Sequence, residues 1–95
     1  MAKLDPITHY RLTEHAREQM AHRQINEDDV GDVLSAPEQI EIVRQGRSVY
    51  QSRIEVGKPP HKFLLRVFVD VDRKPPEVVT VYRTSKIAKY WRVDT

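Results

Sequence analysis

The hydrophobic pattern of this chain changes its period at Pro37. Before Pro37 the apolar side chains recur every three or four residues, as on one face of a helix. After Pro37 they alternate with polar side chains, as in a strand. Short connections join the alternating segments, and they favour antiparallel pairing because a parallel pair needs a crossover of about a dozen residues or more. The sequence therefore predicts an α+β fold, in which helices pack on one four-stranded antiparallel sheet.

Two helices are predicted before Pro37. Thr13 is a favourable N-cap for a helix over about 13–24, and Asn26 is a favourable N-cap for a second helix that Pro37 ends. Residues 7–12 are compatible with one added edge strand. The helices are expected to cover one face of the sheet with their apolar positions. These positions are Ala16 and Met20 in the first helix, with Leu12 directly before it on the same stripe, and Val30, Val33 and Leu34 in the second.

Four strands and a final helical turn are predicted after Pro37. Turn residues separate the strands, including Gly46, Gly57 and two Lys-Pro-Pro sequences. The third strand is the most apolar, so it is expected at the centre of the sheet. The strands are expected over residues 39–44, 48–56, 62–71 and 77–84, and a short helical turn capped by Ser85 follows through Trp91.

The alternation in the third and fourth strands predicts a polar cluster on the sheet face away from the helices. If Val79 and Val81 join the aliphatic row of the third strand, then Arg66, Thr80 and Tyr82 lie together on the opposite face. A guanidinium grips phosphate oxygens, and hydroxyl groups stabilise charge on a pentacovalent phosphate, so this trio fits a phosphodiester. The alternative is structural, because threonine and tyrosine are also good strand formers.

Two residues of the first helix are further candidates. His15 falls in the first turn, and a neutral imidazole there can take a proton from a ribose 2′-hydroxyl. A boundary histidine bonded to a backbone carbonyl is the structural alternative. Arg23 lies on the apolar stripe of the helix, where its charge indicates either an anion or a hydrogen bond to helix-end carbonyls.

Charge is distributed unevenly, although the net charge is only +2. Residues 27–41 carry six acids and no Lys or Arg, whereas the C-terminal end carries basic residues and no acid between 83 and 92. Basic residues interleaved with aromatic ones are typical of a surface that binds nucleic acid. A solvated basic segment that pairs with the acidic one is the alternative. The residues of this candidate surface are Arg83, Lys86, Lys89, Tyr90, Trp91 and Arg92.

Composition and length exclude several classes of protein. The chain has no cysteine, and its four histidines show no His-x3-His spacing, so neither a metal site nor a cofactor is expected. Residues 1–95 are short enough for a single domain. No apolar run approaches the roughly 18 residues of a membrane span. Residues 1–6 lack the apolar stretch of a secretory signal, and a cytoplasmic location is therefore expected.

Three motifs resemble a known family. They are residues 12–16 with Met20 after them, residues 23–30, and residues 79–86 followed by Lys89-Tyr90-Trp91. In this order and spacing they resemble a family of small prokaryotic proteins grouped with the RelE/ParE/BrnT toxin superfamily. The resemblance implies a RelE-like α+β fold and metal-independent RNA cleavage that a neighbouring antitoxin restrains. The residues that match the family pattern are His15, Arg23, Thr80, Tyr82, Lys86 and Tyr90.

The residues and the resemblance together lead to one main hypothesis, a metal-independent endoribonuclease toxin. RNA and a cognate antitoxin are its expected partners, and a 2′,3′-cyclic phosphate and a 5′-hydroxyl are its expected products. The first alternative is a non-catalytic module that binds nucleic acid or an antitoxin peptide, and the second is a gyrase-directed inhibitor. The expected catalytic residues are His15, Arg66, Thr80 and Tyr82, and the expected substrate-binding residues are Arg23, Arg83, Lys86, Lys89 and Tyr90.

Overall fold

One five-stranded sheet organises the fold, with helices on one face and the C-terminal end of the chain on the other. The computed structural model describes residues 5–93. Its elements are β1 (Arg11–Leu12), α1 (Glu14–Arg23), α2 (Glu27–Ser35), β2 (Gln39–Arg44), β3 (Arg47–Val56), β4 (His61–Asp70), β5 (Glu77–Thr84) and α3 (Ile87–Tyr90). Residues 1–4, part of the stretch that argues against a secretory signal, lie outside this range. None of the described helices is long and apolar enough to cross a membrane.

The sheet has the strand order β1-β5-β4-β3-β2. Strands β2 to β5 form the predicted antiparallel meander, but β1 adds a short parallel pair with β5, in which Arg11 faces Glu77 and Leu12 faces Val78. The α+β class and the order of the elements are therefore confirmed. The prediction of a four-stranded, purely antiparallel sheet is wrong, because the edge strand considered for residues 7–12 forms and makes the sheet mixed.

Side-chain caps begin both of the first two helices as predicted. The backbone N–H of Ala16 donates to Thr13 Oγ1 at 3.1 Å, and the N–H of Asp28 donates to Asn26 Oδ1 at 2.7 Å. Each cap satisfies an amide that would otherwise lack a partner in the first helical turn. At the end of α1 the chain turns at Gln24, which adopts a left-handed backbone with φ 56°. The short connection that follows places α2 on the same face of the sheet as α1.

A single apolar layer lies between these helices and the sheet. It excludes water from one face of every long strand except β2, which contributes only the partly buried Ile40. The fully buried aliphatic residues of β4 occupy its centre, as expected for the most apolar strand. The main members are Ala16, Met20, Val30, Val33 and Leu34 from the helices and Tyr50, Leu65, Val67, Val69, Val78 and Val81 from the sheet.

The predicted face of Val79 is wrong, because a β-bulge interrupts the alternation of β5. Phe68 pairs with Thr80 and Val69 pairs with Val78, so Val79 is an extra residue without an opposite partner. Val78 consequently takes the buried core position that was expected for Val79. Thr80 lies beyond the bulge, and it therefore keeps its predicted place on the opposite face. The strand predicted for residues 62–71 is β4. It ends at Asp70, one residue earlier than predicted, and Val71 is exposed.

After β5 the chain crosses the sheet face opposite α1 and α2. We call residues 85–93 the C-terminal segment. It contains α3, which corresponds to the predicted helical turn. The predicted Ser85 cap is wrong, because the N-cap is Lys86 and its side chain makes no capping hydrogen bond. The segment reaches β2 at the far edge, where the side-chain amide of Gln39 donates to the carbonyl of Arg92 and its oxygen accepts from the N–H of Arg92. Both faces of the sheet are therefore covered, but by elements of very different size.

Acid should weaken the fold through the ion pair that joins β3 and β4. The guanidinium of Arg47 donates to both carboxylate oxygens of Asp70, at 2.7 and 3.2 Å, and this hydrogen bonding lowers the pKa of Asp70 below its ordinary 3.8. Because the pKa is lower in the folded state, the contribution is complete above about pH 4 and is lost as the pH falls through the folded pKa.

Asp70→Asn tests this contribution. We expect the variant to be about 0.5–1 kcal/mol less stable than the wild type at pH 7, a modest value because the pair is partly exposed. The difference should shrink as the pH falls from about 4 through the folded pKa of Asp70, below which the wild-type carboxyl is neutral as well. Urea unfolding between pH 2.5 and pH 7 measures both values. A difference that stays constant over this range contradicts the assignment.

Candidate functional site

Three polar side chains lie side by side across the middle of the sheet, on the face opposite α1 and α2. Gln51 of β3 pairs with Arg66 of β4, which in turn pairs with Tyr82 of β5. Arg66 Nε donates to Gln51 Oε1 at 2.8 Å, and Arg66 Nη1 donates to the Tyr82 hydroxyl at 2.7 Å. The predicted contact between Arg66 and Tyr82 is therefore present, and it is built on central strands.

Aromatic rings surround the same guanidinium. Its central carbon lies 4.4 Å from the centre of the Tyr90 ring, 5.3 Å from that of Phe68 and 5.8 Å from that of Tyr82. Phe68 and Tyr82 are nearly parallel, with ring centres 6.1 Å apart. Such rings attract a cation through their negative faces, which compensates part of the hydration that Arg66 loses. They also restrict the side chain to one orientation.

Arg66 is a buried cation with no anion beside it. Only 8% of its surface is exposed, and within residues 5–93 no carboxylate lies within 4 Å of its guanidinium. Burying a charge costs several kcal/mol unless a counter-ion or strong hydrogen bonds compensate for the lost water. The hydrogen-bond partners of Arg66 are neutral, so its positive charge remains available. An anion, and a phosphate above all, is the ligand that this arrangement favours.

Gln51 is the residue of this cluster that the sequence analysis missed. The alternation placed it on the outer face of β3, yet its side chain is fully buried at 0% exposure. Its amide nitrogen donates to Gln39 Oε1 at 2.8 Å and to the Tyr90 carbonyl at 3.2 Å, while its oxygen holds Arg66. Gln51 therefore joins Arg66 to the C-terminal segment. The strand register carries the signal, since only the register places Gln51 opposite Arg66.

The other residues predicted for this face lie at different distances from Arg66. Thr80 shares the face and pairs with Phe68, but within the described residues it makes no hydrogen bond to Arg66. Tyr90 covers the guanidinium directly. Lys86 and Lys89 are exposed on the C-terminal segment, and Lys89 Nζ lies 5.4 Å from the centre of the Tyr90 ring. Lys89 therefore lies beside the ring that covers Arg66.

His15, Arg23 and Arg83 lie on the helix side of β5, apart from this cluster. His15 is exposed and lines a shallow concavity of about 340 Å³ on α1, together with Glu18, Gln19, His22 and Arg23. Arg83 Nη1 donates to the carbonyl of Gln24 at the end of α1. The structure thus brings Arg66, Tyr82 and Tyr90 together but does not bring His15 to them.

Arg23 has a structural partner different from the helix-end carbonyls considered for it. Its Nη1 donates to the carbonyl of Val81 at 2.8 Å, and Gln19 Oε1 accepts from the N–H of the same residue at 3.0 Å. Two α1 side chains therefore satisfy the outer backbone groups of β5, beyond the point where β1 ends. This bond explains the charge on the apolar stripe of α1.

Among residues 5–93, no three His, Cys, Asp or Glu side chains are grouped as metal ligands.

Comparison with known proteins gives a family but no characterised relative. The profile of a family described as a domain of unknown function, DUF4258, matches residues 12–83. The match extends from β1 into β5 and includes Gln51, Arg66 and Tyr82. No curated protein and no solved structure matches the chain significantly.

Proposed function

This chain belongs to the DUF4258 family, and from that premise we propose that it is a cytoplasmic, RNA-cleaving toxin with a RelE-like fold, related to the RelE/ParE/BrnT superfamily and restrained by a cognate antitoxin. One observation carries the proposal: a buried arginine without a counter-ion is held on the central strands by neutral hydrogen-bond partners and aromatic rings. Keeping such a cation is costly for folding, and a phosphodiester ligand gives it a function.

The proposed reaction needs only groups of the RNA and of the protein. The ribose 2′-hydroxyl passes its proton to a phosphoryl oxygen as its own oxygen attacks phosphorus. The bond from phosphorus to the 5′-oxygen breaks, and the leaving oxygen takes the proton of the Tyr82 hydroxyl. Tyr82 then recovers a proton from the phosphoryl oxygen. The products are a 2′,3′-cyclic phosphate and a 5′-hydroxyl. Arg66 stabilises the charge that develops on the phosphoryl oxygens, and Tyr82 and Thr80 orient them. The neighbouring nucleotides bind to Lys86, Lys89 and Tyr90. Where the RNA strand passes around the outer edge of β5, its phosphates contact Arg23 and Arg83.

Proton transfer at the phosphate belongs to Tyr82 in this proposal. Its hydroxyl is the titratable group that contacts Arg66, at 2.7 Å from Nη1. His15 keeps the role of general base only for RNA that passes around the outer edge of β5 to the concavity on α1. This separation of His15 from Arg66 favours a second candidate function, a module that binds single-stranded RNA or an antitoxin peptide on the same face without cutting it.

Tyr82→Phe separates the phenol's chemistry from its packing. We expect the rate of cleavage of a short single-stranded RNA to fall at least tenfold, about the effect of one lost hydrogen bond in the transition state. The ring remains, so the fold should be retained. Tyr50→Phe is the matched control, because the Tyr50 hydroxyl also makes one 2.8 Å hydrogen bond, to the carbonyl of Asp5, on the other side of the sheet. Equal rates for the two variants would contradict a role for Tyr82.

Two measurements decide between enzyme and binding module. Purified protein is incubated with RNA in the presence of EDTA, and the products are tested for a cyclic phosphate end. Binding is measured separately on an RNA with 2′-deoxyribose at the cleavage position, which cannot react. Cleavage together with growth arrest on induced expression, relieved by Thr80→Ala or His15→Ala, supports the toxin. Binding without cleavage supports the module, and failure of both refutes the proposed action on RNA.

A further inference from the structure

The C-terminal segment closes the route by which a ligand reaches Arg66. The Tyr90 ring lies 4.4 Å from the guanidinium carbon, and the Tyr90 carbonyl accepts a hydrogen bond from Gln51. We infer that this segment is a lid, which covers Arg66 in the free protein and lifts to admit a single strand of RNA. The inference rests on the proposed function. It adds that the substrate is single-stranded and that access to the buried cation is regulated by the chain itself.

Polar contacts join the lid to β2 and β3. Gln39 exchanges two hydrogen bonds with the backbone of Arg92, Arg92 Nη1 lies 2.9 Å from a carboxylate oxygen of Glu41, and the Arg53 guanidinium lies 4.1 Å from the centre of the Trp91 ring. Partly exposed contacts of this kind each contribute little to stability.

The lid buries less apolar surface than the two long helices do. Ile87, Tyr90 and Trp91 are half-buried and no residue of α3 is fully buried, whereas α1 buries two apolar side chains in the core and α2 buries three. Opening the lid therefore leaves the main apolar layer intact. The lid samples an open state in the absence of ligand, and a ligand that binds this state shifts the equilibrium toward it.

The chemistry of the lid and of the surface beneath it fits one strand of RNA. When Tyr90 leaves, a phosphate replaces its ring beside Arg66, and the nearly parallel rings of Phe68 and Tyr82 become available for stacking with bases. The lid itself supplies Lys86 and Lys89 for the backbone. Stacking on aromatic rings strengthens binding at each base, but only where the bases are unpaired. A duplex hides its bases and is too wide to pass beneath a segment that lies on the sheet.

A tryptophan reports the position of the lid without any enzymatic assay. Trp91 is the single tryptophan of the chain. The double variant Gln39→Ala/Glu41→Gln removes the side-chain hydrogen bonds that these two β2 residues make to Arg92, together with the bond that Gln51 donates to Gln39. Glu77→Gln is the control for charge, because its ion pair with Arg11 lies at the opposite edge of the sheet. Quenching of Trp91 by acrylamide, urea unfolding, and affinity for single-stranded and duplex RNA of one sequence are measured on all three proteins.

We expect the double variant to make Trp91 about twice as accessible to quencher and to bind single-stranded RNA about three- to tenfold more tightly, because the fraction of molecules ready to bind increases. Duplex RNA should bind weakly to every protein. The urea midpoint should fall only slightly, because Gln51 loses one hydrogen bond to Gln39 while the main apolar layer is unchanged. Glu77→Gln should show only the small gain in affinity that follows from losing one negative charge.

Each contrary result has a distinct meaning. If the wild type binds single-stranded RNA and the double variant exposes Trp91 without binding more tightly, the lid is refuted and the proposed function stands. The lid is also refuted if Trp91 stays protected in the double variant, or if duplex RNA binds as well as a single strand. If no protein binds RNA, the proposed function fails, and the lid for RNA fails with it.

Discussion

Arg66→Lys should reduce the rate of RNA cleavage by about 10²- to 10³-fold, the range found when one preorganised donor to a transition-state oxyanion is lost. Lysine keeps the positive charge, but it lacks the planar fork that reaches Gln51 through Nε and Tyr82 through Nη1. The measurement is the initial rate on a short single-stranded RNA with saturating protein, which reports on the chemical step and not on binding.

Arg47→Lys is the matched control for this substitution. It makes the same chemical change on β3, where the arginine pairs with Asp70 at the end of the sheet and has no contact with Arg66. We expect its cleavage rate to equal that of the wild type. If Arg66→Lys keeps more than about a third of the wild-type rate, the guanidinium geometry is unimportant for cleavage, and the proposed transition-state role of Arg66 is wrong.

Gln51→Leu should lower the free energy of unfolding by about 2–4 kcal/mol, because it leaves a buried charged group without its hydrogen-bond acceptor. Gln51 is fully buried, and leucine is similar in size but offers no oxygen to Arg66 Nε and no donor to the Tyr90 carbonyl. Urea unfolding measures the loss. The effect is expected to exceed that of Asp70→Asn, since the Arg47–Asp70 pair is partly exposed.

Adding Arg66→Met to Gln51→Leu should restore much of this stability. Buried charges replaced by apolar residues of similar volume often leave stability unchanged or raise it. The double variant should therefore fold about as well as Arg66→Met alone, with a coupling energy of at least about 1 kcal/mol between the two positions. It should not cleave RNA. Additive losses of stability would show that Gln51 does not act through Arg66.

Recovered stability without activity would identify why the cation is present. If Arg66 were needed only for packing, methionine could replace it once Gln51 is replaced by leucine, and the rate of RNA cleavage would not change. An arginine that binds a phosphate cannot be replaced in this way. The double variant separates these two roles in one protein, whereas the single substitutions change stability and charge together.

The sequence predicted the second half of the fold most accurately. Residues 39–44 and 77–84 were expected as strands, and they are β2 and β5 with the same bounds. In these segments the alternation is long and turn residues flank it, so local pattern and tertiary packing agree. Strand β1 contains two residues, which is too short to show any period, and its parallel pairing with β5 depends on where α1 places it.

The candidate site was predicted in part, for a similar reason. Arg66 and Tyr82 were placed together by strand alternation, and the structure joins them by a hydrogen bond. The bulge at Val79 shifted the core position by one residue, but the positions beyond it kept their face. Gln51 and the cover over Arg66 depend on register and on the path of the C-terminal segment. Neither the position of Gln51 beside Arg66 nor the cover over Arg66 produces a periodic pattern in the sequence.

The two side chains of α1 that bond Val81 also limit how copies of this chain can associate through their sheets. Gln19 and Arg23 occupy the outward N–H and carbonyl of Val81, and β1 occupies the preceding stretch of β5, so most of this rim is closed to another strand. The opposite rim is β2, whose exposed Val43 is the irregular residue in its pairing with β3. Cross-β fibres grow because each sheet can add strands at both of its edges. Two copies of a sheet with one usable edge can pair through that edge, and no third copy can then be added.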